Sequence, residues 1–241
     1  MTTSHAIRWL LKPIVFLAAL VPAALLCERL ITGNLGADPL AEITSQTGSW
    51  ALRFLAATLA ITPARRLSGW DSLIRFRRMI GLFAFFYGVL HLAVFIVADR
   101  LASLGFPSPL SWSTVRDLTF SIAAEVYTRP YIAVGFASWL IMFALALTST
   151  TGMIRRLGGR RWQALHRLVY VAAIAGVVHY WWSVKVDVRD PRAYAVVVAA
   201  LLMFRVVLWA RKYAGQSPRS IARPAPKRVS TVPVVRKPHA T

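Results

Sequence analysis

A single cysteine, Cys27, stands among 241 residues. That scarcity excludes a disulfide framework, a four-cysteine iron–sulfur site and the C-x-x-C-H attachment of a covalent haem. Acidic residues are also scarce, nine Asp and Glu against 29 Lys and Arg. The apolar stretches therefore offer too few carboxylates for hydrolytic chemistry, and no serine, histidine and acid constellation is legible. No G-x-G-x-x-G occurs, so the chain has no dinucleotide-binding fingerprint. It also lacks the inverted repeat and paired interrupted spans that mark many transporters. No catalytic site of the chain's own is visible.

What the chain has in quantity is apolar sequence. Hydrophobic residues make up 57% and charged residues 16%, and mean hydropathy is +0.54, which together indicate an all-α, polytopic membrane protein. The net charge of +20 would suit nucleic acid only if the cations lined one polar face. They instead form short clusters between apolar runs, the pattern of topology signals beside membrane lipid.

Six spans are predicted, at about 13–30, 48–64, 79–98, 131–147, 164–183 and 193–210, forming one bundle over residues 1–212, followed by a basic, disordered tail at 213–241. Pro13 and Pro22 start or bend the first span. Arg53 must snorkel or line the bundle, and Arg205 lies close enough to an end to snorkel. Residues 28–49 read as a polar loop. Within the loop at 99–129, Val115, Leu118, Ile122 and Val126 fall at helical spacing after a Ser113 cap, predicting an amphipathic helix that lies on the membrane or docks a redox partner. Arginines crowd the segments 64–78 and 155–161 and the tail, which puts both termini in the cytoplasm.

The organising stretch is WQALHRLVYVAAIAGVVHYWW, Trp162–Trp182, which carries His166 and His179 at different depths. Thirteen residues separate them, about 20 Å along a helix. Ionisable side chains at membrane depth point to function, and imidazole is a common ligand of haem iron. The bland alternative is a histidine bonded to a neighbouring carbonyl. Arg78 precedes His91 by the same interval, so His91 and His179 should share one level in the outer half, and Arg78 and His166 another at the cytoplasmic edge. His91 and His179 are then candidate axial ligands of one noncovalent, b-type haem. Arg77 and Arg78 are positive-inside anchors by default, although guanidinium also binds a propionate or a flavin phosphate. Together with His166 they outline an inner-edge haem, flavin or quinone site. Trp162, Tyr170, Trp181 and Trp182 read as an interfacial belt, and His5 and His239 as solvated.

The stretches RFRRMIGLFAFFYGVLHL, TRPYIAVGF, LALTSTTG and RRWQALHRLVYVAAIAGVVHYWW resemble the MsrQ (YedZ) family, haem-binding membrane subunits of a protein-methionine-sulfoxide reductase system in the ferric-reductase-like transmembrane superfamily. The resemblance covers roughly residues 10–212. It implies a bacterial inner-membrane electron conduit with haem b and an associated FMN. Such a subunit draws electrons from the quinone pool or a cytosolic flavin reductase and passes them to a periplasmic molybdenum-containing reductase that repairs oxidised methionines. It is an electron-transfer subunit without catalysis of its own. The wider superfamily carries two histidines on each of two helices, and Arg78 stands where the fourth would fall. Two other classes fit the same residues: a quinol-oxidising haem b subunit for a different periplasmic enzyme, and a transporter relaying protons through His91 and His179.

Overall fold

The computed structural model describes residues 7–97, 111–184 and 188–214. The predicted tail from 215 onward, most of the loop at 98–110, and His5 and His239 lie outside the described residues. Every extended element among the described residues is helical: α1 (Lys12–Ile31, after a π turn at Ile7–Leu11), α2 (Pro39–Ser68), α3 (Arg77–Val94), α4 (Trp112–Thr128), α5 (Pro130–Leu147), α6 (Thr151–His166), α7 (Val169–Ser183) and α8 (Arg189–Ala214). A 3₁₀ turn at Asp71–Arg75 joins α2 to α3. By contacts the chain divides into a unit ending at Arg205 and a second beginning at Val206. The described part of the second unit is the last stretch of α8, with Arg211 and Lys212 in its final turn.

Four described stretches are long and apolar enough to cross a membrane: Trp9–Ile31, Arg77–Val97, Pro130–Leu147 and Arg189–Lys212. Large apolar side chains point outward from them, among them Leu17, Val196 and Met203, each more than 60% exposed. Water would disfavour such a surface and lipid would not.

Local chemistry explains three departures from the expected element boundaries. The polar segment read as a loop to residue 49 becomes helix from Pro39, because the Asp38 side chain accepts the Ala41 amide at 3.0 Å and proline suits the first helical turn. The basic loop at 155–161 is part of α6, capped by Thr150 and broken at Gly158, whose φ of 72° and ψ of 154° interrupt the helix. The amphipathic helix exists, but Ser111 rather than Ser113 caps it, accepting from Thr114 N–H at 3.2 Å.

Within the first unit, α2 packs along α3 and α5 along α7, and further contacts of α2 with α7 and α3 with α5 close the group. Small residues permit the approach: Ala84, Ala172 and Ala173 are almost wholly buried, and Ser138 donates to the Ala172 carbonyl at 2.9 Å. Leu52, Leu55 and Leu59 of α2 meet Leu145 of α5, Val169 and Val177 of α7, and Val198 of α8 in one cluster. Ala19, Phe83 and Tyr87 form a second cluster that seats α1 on α3.

Two prolines interrupt helical hydrogen bonding, and a side chain from elsewhere bonds the backbone beside each. Pro22 opens the ladder of α1. There the buried Tyr87 hydroxyl donates to Ala19 O at 2.8 Å and accepts from Ala23 N–H at 3.1 Å. Pro63 deprives the Leu59 carbonyl of its regular donor four residues on, and Arg205 Nη2 supplies one at 3.1 Å. The same guanidinium also bonds Tyr170 Oη at 2.6 Å and Thr62 Oγ1 at 3.0 Å. Arg205 therefore faces the bundle rather than snorkelling away. Arg53 likewise bonds Tyr194 Oη at 2.8 Å and lies 4.5 Å over the Trp50 ring.

Candidate functional site

His91 near the end of α3 and His179 near the end of α7 face each other. Their ring centroids are 6.0 Å apart and their planes meet at 78°. His91 Nδ1 lies 3.0 Å from Thr44 O on α2, and His179 Nδ1 lies 2.7 Å from Tyr131 O on α5. A carbonyl only accepts, so both Nδ1 atoms carry hydrogen and both Nε2 atoms keep their lone pair. Bonds of this kind from the ring's other nitrogen fix the tautomer and ring orientation of metal-ligating histidines. A metal held end-on between two imidazoles at about 2.0–2.1 Å per bond places the ring centres about 6 Å apart. The donor set and its spacing therefore fit a bis-imidazole iron, and among the described residues no cluster of three or more His, Cys, Asp or Glu offers a different metal site.

The pair lines a cavity of about 590 Å³ bordered by α2, α3, α5 and α7, with Ile122 and Val126 of α4 along one side, a volume typical of cofactor sites. Trp139 lines the same cavity, and its buried indole Nε1–H has no hydrogen-bond partner among the described residues. Arg129 also borders it, with Nε 2.8 Å from Glu125 Oε2. The loop before α2 is clamped by Glu42, which accepts from Gly36 N–H at 2.8 Å and pairs with Arg29 at 2.6 Å. The Gly36 amide first, and the Arg29 charge after it, hold the Glu42 carboxyl below the usual carboxylate range.

A second cavity of about 520 Å³ gathers Arg77, Arg78, His166 and Arg167 with Ser149, Trp162 and Tyr170. Among the described residues no Asp or Glu lines it, so its electrostatics favour an anionic group. His166 donates Nδ1–H to Trp162 O at 3.0 Å within its own helix, its Nε2 lies 3.4 Å from Ser149 Oγ, and its ring stacks on Trp162 at 3.9 Å. Leu55 and Met142 border both cavities and form an apolar wall between them.

The structure thus brings His91 to His179, and His166 to Arg77 and Arg78, in two separate cavities. Sequence reasoning missed Thr44, Tyr131, Trp139, Arg129 and Ser149. Only Arg129, a cation at a predicted span end, carried a signal strong enough to find.

The family described as ferric reductase like transmembrane component matches residues 47–177. Among curated relatives, a protein of Herminiimonas arsenicoxydans is 46% identical over 203 residues, covering 83% of this chain and 86% of its own. One from Xanthomonas euvesicatoria pv. vesicatoria (strain 85-10) is 44% identical over 221 residues, covering 89% and 93%. One from Rhodospirillum rubrum is 45% identical over 205 residues, covering 85% and 91%. Each of the three is named protein-methionine-sulfoxide reductase heme-binding subunit MsrQ. No solved structure matches the chain.

Proposed function

The chain belongs to the MsrQ family of ferric-reductase-like membrane proteins, and from that premise we propose that it is the haem b electron-transfer subunit of a methionine sulfoxide reductase system. His91 and His179 would hold the haem iron, each through Nε2. The observation that carries this reading is that both imidazoles commit Nδ1–H to a neighbouring helix's carbonyl and face each other at a separation suited to one iron. When bound, haem supplies one-electron storage. An iron held by both His91 and His179 would have no open position, which suits electron transfer rather than oxygen chemistry.

The protein's part is to hold, orient and insulate. The carbonyls of Thr44 and Tyr131 fix the rings, and Leu52, Leu55, Ile132 and Phe136 give the cavity apolar walls. At the second cavity, Arg77, Arg78 and His166 take an anionic cofactor, a second haem or FMN, or a quinol electron donor from the membrane's quinone pool. A cytosolic flavin reductase is the alternative electron source. In this reading the bundle has six spans over residues 1–212, with α2 and α7 completing the four long apolar helices. Both termini and the basic tail at 213–241 face the cytoplasm of a bacterial inner membrane. Electrons leave from the His91–His179 level to a periplasmic molybdenum-containing reductase that repairs oxidised proteins, and α4 contributes to its docking.

Haem content and visible spectra of purified variants test the assignment. His91→Ala and His179→Ala should each abolish the low-spin haem spectrum, while His166→Ala should retain much of it and slow electron entry. Loss of all haem in His166→Ala with full retention in His91→Ala would overturn the pairing. With haem bound, ring planes kept near the 78° seen here would give a strongly anisotropic low-spin ferric EPR signal.

A further inference from the structure

Each facing histidine reaches its carbonyl across a position where a side chain is missing. A Cβ built on Gly48 would lie 3.1 Å from both Nδ1 and Cε1 of His91. One built on Gly135 would lie 2.5 Å from Nδ1 and 2.7 Å from Cε1 of His179. In both cases the glycine stands four residues after the accepting carbonyl and in the same helix: Thr44 and Gly48 in α2, Tyr131 and Gly135 in α5. The repetition has a geometric cause. In an α-helix the carbonyl of residue i points at the amide of residue i+4, and Cβ of residue i+4 leans back toward the N-terminus, over that carbonyl. Almost any side chain there shields the oxygen from sideways approach. Glycine leaves it open to a second donor.

His166 provides an internal contrast. Its Nδ1–H goes to Trp162 O in its own helix, and among the described glycines none would place a Cβ within contact of it.

We infer that Gly48 and Gly135 are positioning residues for the cofactor: each opens a main-chain carbonyl to an incoming imidazole, which fixes the ring's tautomer and turns Nε2 toward the other histidine. This rests on His91 and His179 being the axial pair, and it adds two residues that act only through those ligands. The two positions differ in tolerance. Ordinary contact begins at 3.4 Å, so a methyl on Gly135 forces the His179 ring back by about 0.9 Å, beyond the ~0.5 Å within which a site holds its geometry. A methyl on Gly48 displaces His91 by only about 0.3 Å, inside that tolerance.

The test uses the full chain, expressed in membranes and purified in detergent, with haem per protein, ferric EPR and haem midpoint potential as readouts. Far-UV circular dichroism and gel filtration report folding. Gly135→Ala should fold but retain haem about 10- to 100-fold more weakly, the usual penalty when a ligating histidine loses the partner of its other ring nitrogen. Gly48→Ala should keep its haem with a shifted midpoint potential and a shifted low-field EPR feature. Gly152→Ala and Gly159→Ala, whose added methyls would meet nothing within 4 Å, should match the parent in all three. If Gly135→Ala fails to fold, Gly48→Ala decides, and a parental potential and EPR signal there overturn the inference. Parental haem in both glycine variants, with haem lost in His91→Ala and His179→Ala, sinks the glycine role and leaves the axial pairing standing. Haem retained in both histidine variants overturns the two together.

Discussion

Replacing Tyr87 by Phe removes one oxygen and leaves the ring in place, so it isolates what the hydroxyl does inside α1. The side chain is 1% exposed and stacks on Phe54 at 5.3 Å, contacts that phenylalanine keeps. What disappears is the bridge from Ala23 N–H to Ala19 O. Individual protein hydrogen bonds contribute about 0.5–1.5 kcal/mol, and those between membrane helices average about 0.6 kcal/mol with a maximum near 1.7 kcal/mol. Two bonds lost together should cost about 1–2 kcal/mol on those scales. The cause assigned here is Pro22, whose ring opens the turn into which the hydroxyl fits. In a Pro22→Ala background the turn can close on itself, with Ala23 N–H returning to Ala19 O. Tyr87→Phe should then cost about 1 kcal/mol less, a coupling that a double-mutant cycle resolves. Reversible unfolding of all four proteins in mixed detergent micelles supplies the numbers. An equal cost of Tyr87→Phe in both backgrounds would refute the idea that the tyrosine compensates for the proline.

Three further outcomes are expected. Arg205→Met leaves Leu59 O without a donor, at about 1–3 kcal/mol, and Pro63→Ala should recover part of that loss in the same unfolding assay; no recovery would mean the Leu59 bond is incidental. Gly158→Ala places a Cβ at φ 72°, ψ 154°, costing about 1–3 kcal/mol of backbone strain. Its neighbour Gly159, in open space at an ordinary φ, should accept alanine without loss, and equal melting temperatures for the two variants would refute the kink. The Glu42 clamp should be pH-dependent. A depressed folded pKa makes its stabilisation fully present above the unfolded value of about 4.3 and lost as pH falls through the lower folded value. Hydrogen exchange over residues 32–38, corrected for the intrinsic rate, should therefore rise only in that acid window, and Glu42→Gln should remove the transition.

That His91 and His179 come near each other was legible because span depth is a one-dimensional quantity. Equal offsets from Arg78 and His166 bring His91 and His179 to one level without any knowledge of helix faces. Facing and contact are two-dimensional, and there the sequence was silent: nothing along the chain shows that Gly48 lies against His91 or Gly135 against His179. Some of the rest was available and passed over. Asp38, Pro39 and Glu42 form a helix-start signal that overrides the polar composition of the segment after them. Pro63 announces that Leu59 O needs an outside donor, which makes a buried Arg205 reasonable where a snorkelling one had been expected. Gly158 could be read only as a loop residue, since the helix resumes beyond it.

The wall of Leu55 and Met142 between the two cavities has an electrical consequence. Aliphatic side chains offer no chain of donors and acceptors, so an electron crossing that wall travels without a proton beside it. The step moves net charge through a low-dielectric layer and is therefore sensitive to voltage. One charge carried across the whole potential is worth about 2.3 kcal/mol per 100 mV, and the wall takes whatever share of the drop falls across it. In the proposed orientation, with both termini in the cytoplasm and the cell interior negative, outward electron flow would run down this gradient, and an uncoupler should slow electron delivery even when the donor pool stays fully reduced.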